Sequence, residues 1–139
     1  MKKYLNYSFN KQLSKLKVLT VDDSTKIAQH LNQMLSEISY VERIGHAYTL
    51  ENAHKHINKN NPHLVILDIQ LKEESGLDLL TYLHKNNPEI IVMMLSNMSY
   101  PAYRTKCLEL GAKYFLDKSI DFEKIPDVID TIYKELYPS

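Results

Sequence analysis

The sequence predicts an α/β fold, a doubly wound five-stranded parallel sheet with helices on both faces. Three observations predict it. Strand-like and helix-like patterns alternate five times along the chain, with short connections. The run Leu64-Val65-Ile66-Leu67 is apolar without alternation, as in an inner strand covered on both sides. The strong strands also end in residues with chemistry to offer, at the sheet edge where ligands of such folds sit.

The first strand is Leu16-Lys17-Val18-Leu19-Thr20-Val21, ending in Asp22-Asp23. A helix follows, with Ile27, Leu31, Met34, Leu35 and Ile38 on one apolar face and Ser24 or Asp23 as its cap. Val41 to Tyr48 reads as a second, more polar strand, expected at an edge. Thr49 then caps a helix carrying Leu50, Ala53 and Ile57, which Pro62 terminates. The third strand delivers Asp68 to a polar loop. Ser75 and Asp78 have the spacing of a capping box and open a helix through Leu79, Leu80 and Leu83. Ile90 to Leu95 forms the fourth strand, ending in Ser96-Asn97. Pro101 suits the first turn of the next helix, and Gly111 the position just past its end. Tyr114-Phe115-Leu116 is the fifth strand, ending in Asp117-Lys118-Ser119. A last helix presents Ile125, Val128, Ile129, Ile132 and Leu136. Residues 1–14 lack a period and read as an N-terminal extension, leaving residues 15–139 as one domain.

A chain of 139 residues, 44% apolar and 24% charged, can bury a real core. Lys+Arg and Asp+Glu both number 17, which weakens any case for direct nucleic-acid binding. Cys107 is the single cysteine, so neither an internal disulfide nor a multi-cysteine metal site is available, and a packed, inert thiol is expected. The N-terminus lacks a continuous apolar signal region, and no stretch approaches the ~20 apolar residues of a membrane helix. A cytoplasmic chain without membrane insertion is the expectation.

In a doubly wound sheet the strand ends lie along one rim, so Asp22, Asp23, Asp68, Ser96 and Lys118 can meet; strand two delivers nothing comparable. Three crowded carboxylates raise one another's pKa unless a cation joins them, and Mg²⁺ suits few carboxylates with water and a phosphate oxygen. Lys118 and Ser96 offer a positive charge and a hydroxyl to phosphoryl oxygens. A carboxylate nucleophile, a metal and a cationic clamp are what phosphoryl transfer to an aspartate requires.

From about Leu16 to Tyr137 the chain resembles the receiver domain of bacterial two-component response regulators, of the stand-alone, chemotaxis-regulator kind. The resemblance rests on Val21-Asp22-Asp23-Ser24, Leu67-Asp68, Ser96 after the fourth strand, and Phe115-Leu116-Asp117-Lys118. It implies the strand order 2-1-3-4-5, with Asp68 as acceptor of a phosphoryl group from a histidine kinase or a histidine phosphotransfer protein. It further implies Mg²⁺ on Asp22, Asp23 (directly), Asp68 and the Gln70 carbonyl, with Ser96 and Lys118 on the phosphoryl group. Ser96 and Phe115 occupy the switch positions; plain core packing is the other reading of Phe115. Activation would reshape the surface of helix four, strand five and helix five, the expected docking face for a target protein, and the chain would be a monomer or a phosphorylation-dependent dimer. In this reading it is not an enzyme in its own right, but assists its own phosphorylation and dephosphorylation.

Three residues depart from the family pattern. Ser119 stands where proline usually follows the lysine, Asn97 where a small residue usually follows the switch Ser, and Gln70 places an amide near the acceptor. The histidines at 30, 46, 54, 56, 63 and 84 are scattered, with His54 and His56 read as solvated and none as catalytic. Tyr100 and Tyr103 are candidates for a partner contact or for packing at helix edges.

Two further readings compete. A dehalogenase-like phosphatase needs Asp-x-Asp after its first strand and a cap domain, neither of which fits here. A degenerate receiver would act as a phosphorylation-independent interaction module. Since nothing follows Ser139, the output is expected to be protein contact or phosphoryl relay.

Overall fold

Alternate residues of the central strands feed two separate cores. In the computed structural model, which describes residues 14–139, β1 (Leu16–Val21), β2 (Val41–Ala47), β3 (Leu64–Leu67), β4 (Ile91–Ser96) and β5 (Tyr114–Asp117) form one parallel sheet in the order β2-β1-β3-β4-β5. The helices are α1 (Thr25–Ser36), α2 (Leu50–Asn60), α3 (Gly76–Asn86), α4 (Pro101–Glu109) and α5 (Ile125–Leu136), with a 3₁₀ turn at Phe122–Lys124 before the last. The proposed extension, Ser14 excepted, lies outside the described residues.

Val65, Leu67, Val92 and Met94 join one core with residues of α2, α3 and α4, among them Ala53, Ile57, Leu79, Leu83 and Cys107. Leu64, Ile66, Met93 and Leu95 join the other, under Leu31 and Leu35 of α1 and Ile129 and Ile132 of α5. Strands that are apolar on both faces are what this double burial demands. Cys107 is fully buried, and burial pushes its thiol up, in keeping with an inert packing role.

The caps are chemical. Ser24 accepts from the Ile27 amide and Thr49 from the Asn52 amide, each quieting a free N–H at a helix start. Ser75 accepts from the Leu77 amide, one residue before the position that the capping-box spacing implies. Gly111 follows α4 at a φ of 115°, a conformation that a Cβ would strain.

Two expectations need correction. On α5 it is Tyr133, not Leu136, that completes the buried face: Leu136 is 39% exposed, whereas the Tyr133 ring stacks on Tyr40 at 3.8 Å and its hydroxyl donates to the Ser14 carbonyl. His54 and His56 are both half-buried rather than solvated, the His54 ring packed edge-on against Tyr82 across α2 and α3 and the His56 ring lying against Gly45.

β2 is one of the two edge strands, and it is irregular. Its pairing with β1 shifts between Val18 and Leu19, so Arg43 opposes Val18 but Gly45 opposes Leu19, leaving Ile44 as the extra residue of a bulge. Past the bulge, His46 lies opposite Thr20.

Candidate functional site

The register carries the site. Val21 pairs with Leu67, so Asp22 and Asp68 emerge side by side, and the Asp68 amide donates to the Val21 carbonyl at 3.0 Å. On the other flank Ser96 pairs with Asp117, and the Lys118 amide donates to the Ser96 carbonyl at 3.1 Å. Four residues far apart in sequence thus share one rim because a parallel sheet aligns its carboxyl ends.

Lys118 spans the two inner acids. Its Nζ lies 2.6 Å from Asp22 Oδ2 and 2.7 Å from Asp68 Oδ2. Asp22 is 2% exposed and Asp68 6%, while Asp23 stands out in solvent. The Asp22 carboxylate also accepts from the Ser24 amide, so the group that ends β1 helps to start α1.

Burial pushes the Asp22 carboxyl above its ordinary range, and Lys118 only partly pulls it back. Burial works against the Lys118 ammonium too, but the Asp22 and Asp68 carboxylates outweigh it and hold the ammonium above its ordinary range. The two shifts have opposite relations to burial: desolvation raises the Asp22 carboxyl, whereas Lys118 keeps its proton against desolvation because two carboxylates face it.

One ligand oxygen from each of Asp22, Asp23 and Asp68 can be chosen so that all three lie within 4.8 Å of one another. Mg²⁺ holds oxygens at 2.0–2.1 Å in an octahedron, which sets ligand pairs roughly 3–4 Å apart. An all-oxygen donor set at this spacing fits a hard divalent cation with small side-chain adjustments. Asp23, Asp68, Gln70, Ser96, Asn97 and Lys118 line a shared cavity of about 290 Å³ with Leu71, Lys72 and Met98. The exposed Gln70 sits on its rim, bridged to Ser75 in an isolated antiparallel pair.

Ser96 is fully buried, and its hydroxyl oxygen accepts from the Met98 amide at 3.1 Å, which leaves the O–H to donate. The β4–α4 and β5–α5 loops meet above it. Ser119 Oγ lies 3.3 Å from Asn97 Oδ1, and the hydroxyl of Ser99 together with the Ser119 amide holds the Asp117 carboxyl below its usual range. Two of the residues that depart from the family pattern, Asn97 and Ser119, therefore touch each other.

Phe115 does not line the cavity. It is buried in the core beneath α3 and α4, with the Arg104 guanidinium 4.8 Å from its ring centre and donating to its carbonyl. Sequence reasoning also missed a residue. Strand two does deliver something: His46 Nε2 lies 2.8 Å from the Asp22 carbonyl oxygen. The only signal was a polar residue level with the end of strand one, and the bulge hid that level.

The family model described as the response regulator receiver domain matches residues 18–130. A sensory transduction protein LytT from Bacillus anthracis is 34% identical over 121 residues, covering 86% of this chain and 48% of its own length. A protein-glutamate methylesterase/protein-glutamine glutaminase from Trichodesmium erythraeum is 31% identical over 128 residues, covering 91% of this chain and 36% of its own. The chain thus spans half or less of these relatives. Among solved structures, the receiver domain of the Francisella response regulator 1452 superposes with a TM-score of 0.79 at 26% identity, covering 88% of this chain and 99% of that one.

Proposed function

The chain belongs to the response regulator receiver family, and from that premise we propose that Asp68 accepts a phosphoryl group from the phosphohistidine of a kinase or histidine phosphotransfer protein. The observation that carries the reading is Lys118, whose ammonium joins the Asp22 and Asp68 carboxylates beside the cavity that Lys118 and Asp68 line with Asp23, Gln70 and Ser96.

In the transfer, an Asp68 carboxylate oxygen forms a bond to phosphorus while the P–N bond to the donor imidazole breaks, its electron pair staying on the ring nitrogen. Such chemistry is mostly positioning and charge stabilisation. Lys118 follows the incoming phosphoryl oxygens with its charge, and the Ser96 hydroxyl donates to another of them. Receiver domains typically bind Mg²⁺, and here Asp22, Asp23, Asp68 and the Gln70 carbonyl would hold it, supplying positive charge to the transferring group.

The added group carries about −1.5 to −2 charges. Drawing Ser96 toward it moves the β4–α4 loop and biases the Phe115 ring, and so the face formed by α4, β5 and α5, toward the state a target protein binds. The chain works as a switch read through protein contact, as monomer or phosphorylation-dependent dimer. The described residues contain no helix long and apolar enough to cross a membrane.

Intact mass after incubation with a small-molecule phosphodonor tests this. A Mg²⁺-dependent phosphoryl adduct is expected on the wild type and not on Asp68→Asn. No adduct, with no Mg²⁺ binding by titration, would leave a phosphorylation-independent interaction module.

A further inference from the structure

We infer that His46 is a positioning residue: its imidazole, set by Thr20, clamps the Asp22 backbone and so holds the Asp22-Asp23 turn in the geometry that binds a divalent cation. The inference rests on the reading of these two acids as metal ligands.

The ladder between β1 and β2 runs to its last rung at the Asp22 amide, which donates to the Ala47 carbonyl at 3.0 Å. The next acceptor on β1 is the Asp22 carbonyl. β2 has ended by then, and the chain turns into the Thr49 cap of α2. A side chain supplies the donor instead: His46 Nε2, at 2.8 Å.

A carbonyl oxygen only accepts, so Nε2 must carry the proton. In the neutral ring Nδ1 is then the acceptor, and Thr20 Oγ1 stands 2.6 Å from it, its hydroxyl in place to donate. Thr20 is 5% exposed and directly opposite His46 in the register. The order Thr20 hydroxyl, imidazole, Asp22 carbonyl fixes the ring in both tilt and tautomer, as outer partners of metal sites do.

What this secures is the first link of the turn. The Asp22 amide is tied to Ala47, its carbonyl to His46, and its carboxylate to Ser24 and Lys118. Asp23 is the exposed member of the acidic group, and the peptide that leads into it is the one whose carbonyl His46 holds. Freeing that carbonyl lets the peptide plane rotate, which swings Asp23 while leaving Lys118 and Asp68 where they are.

The test is Mg²⁺ titration by calorimetry on wild type, His46→Leu, His46→Gln and Thr20→Val, with the thermal midpoint of each metal-free protein measured alongside. Loss of an outer-shell partner typically costs 10–100-fold in metal affinity. His46→Leu is expected at about the lower end of that range, while its phosphorylation recovers at saturating Mg²⁺. Gln can place an amide N–H close to the Nε2 position, so His46→Gln should bind Mg²⁺ nearly as wild type does. If His46→Leu melts early yet binds Mg²⁺ as tightly as wild type, the residue is merely structural and the inference fails. It fails equally if His46→Gln is as weak as His46→Leu. Should the Leu variant not fold, the isosteric Thr20→Val decides, with several-fold weaker binding expected and unchanged binding overturning the role. A wild type that binds no Mg²⁺ sinks the metal-site reading itself, a separate outcome.

Discussion

Gly76 shows how one missing atom can shape the site. A Cβ there would run into the Asp68 carbonyl oxygen, so any side chain must push α3 away from the acceptor or twist the acceptor itself. Gly76→Ala is expected to cost about 1–3 kcal/mol, as overpacking does, and to slow phosphorylation; paired denaturation and mass measurements check both. At the far end of the sheet, His63 Nδ1 accepts from the Lys17 amide at 2.9 Å, with Tyr137 against its other nitrogen. Burial, with Lys17 adding to it, holds this histidine below the ordinary value of 6.5. A lowered folded pKa means stability that is present above 6.5 and lost as pH falls through the folded value. Asn at this position keeps an acceptor without a titrating ring, so the melting temperature of His63→Asn should fall less steeply with acidification than that of wild type. Asp22, Asp68 and Ser96 were legible in the sequence because each directly follows an apolar run, and Lys118 because it lies one residue further past the end of another. His46 was not, because the extra residue Ile44 sets its level against β1, and nothing local announces a bulge in a polar edge strand. Tyr133 escaped for another reason: a tyrosine is counted among apolar faces only when its hydroxyl is known to have a partner.

At the scale of elements, boundaries followed from punctuation. Thr49 caps as expected, Ser24 rather than Asp23 caps α1, Ser75 caps α3 through the Leu77 amide instead of the Asp78 amide, and Pro101 opens α4. The 3₁₀ turn at Phe122–Lys124 went unforeseen, since it is organised by Asp121, whose carboxylate accepts from the Asp117 amide and pairs with Lys124. The meeting of the β4–α4 and β5–α5 loops was equally invisible, because Asn97 and Ser119 are far apart in sequence and become neighbours only when β4 and β5 align. Their contact ties down the mouth of the cavity that Asn97 lines. Asn97→Ala both empties that mouth and frees the loop, so phosphorylation by a small donor should run several-fold faster. Ser119→Ala frees the loop alone and should give a smaller gain. Adduct formation followed over time by intact mass separates the two.

The molecule as a whole carries an electrostatic debt at its rim. Asp22, with its carboxyl raised by burial, contributes stability below the ordinary value of 3.8 that is lost as pH rises through the folded pKa, so at neutral pH its charge is held at a cost. A cation that binds only the folded chain offsets that cost. At about a hundred times its dissociation constant, Mg²⁺ should stabilise by about 2.7 kcal/mol. Thermal melts with and without Mg²⁺ check this: the gain should vanish in Asp23→Asn and shrink in acid, where protons compete for Asp22. The α/β alternation made the sheet and its two-sided burial legible from the chain alone, and the strand order came with the family resemblance; the sharing of Lys118 between two acids needed coordinates.

The charged groups of the site rise from strand ends or the loops just past them, whereas the outward faces of the five described helices supply none. Those faces are therefore free to change without touching the chemistry. Duplicated copies of such a chain can react alike while diverging in whom they meet. A genome that accumulates them would keep its circuits insulated by the wording of helix surfaces, and rewiring one circuit would need a few surface substitutions and no new catalyst.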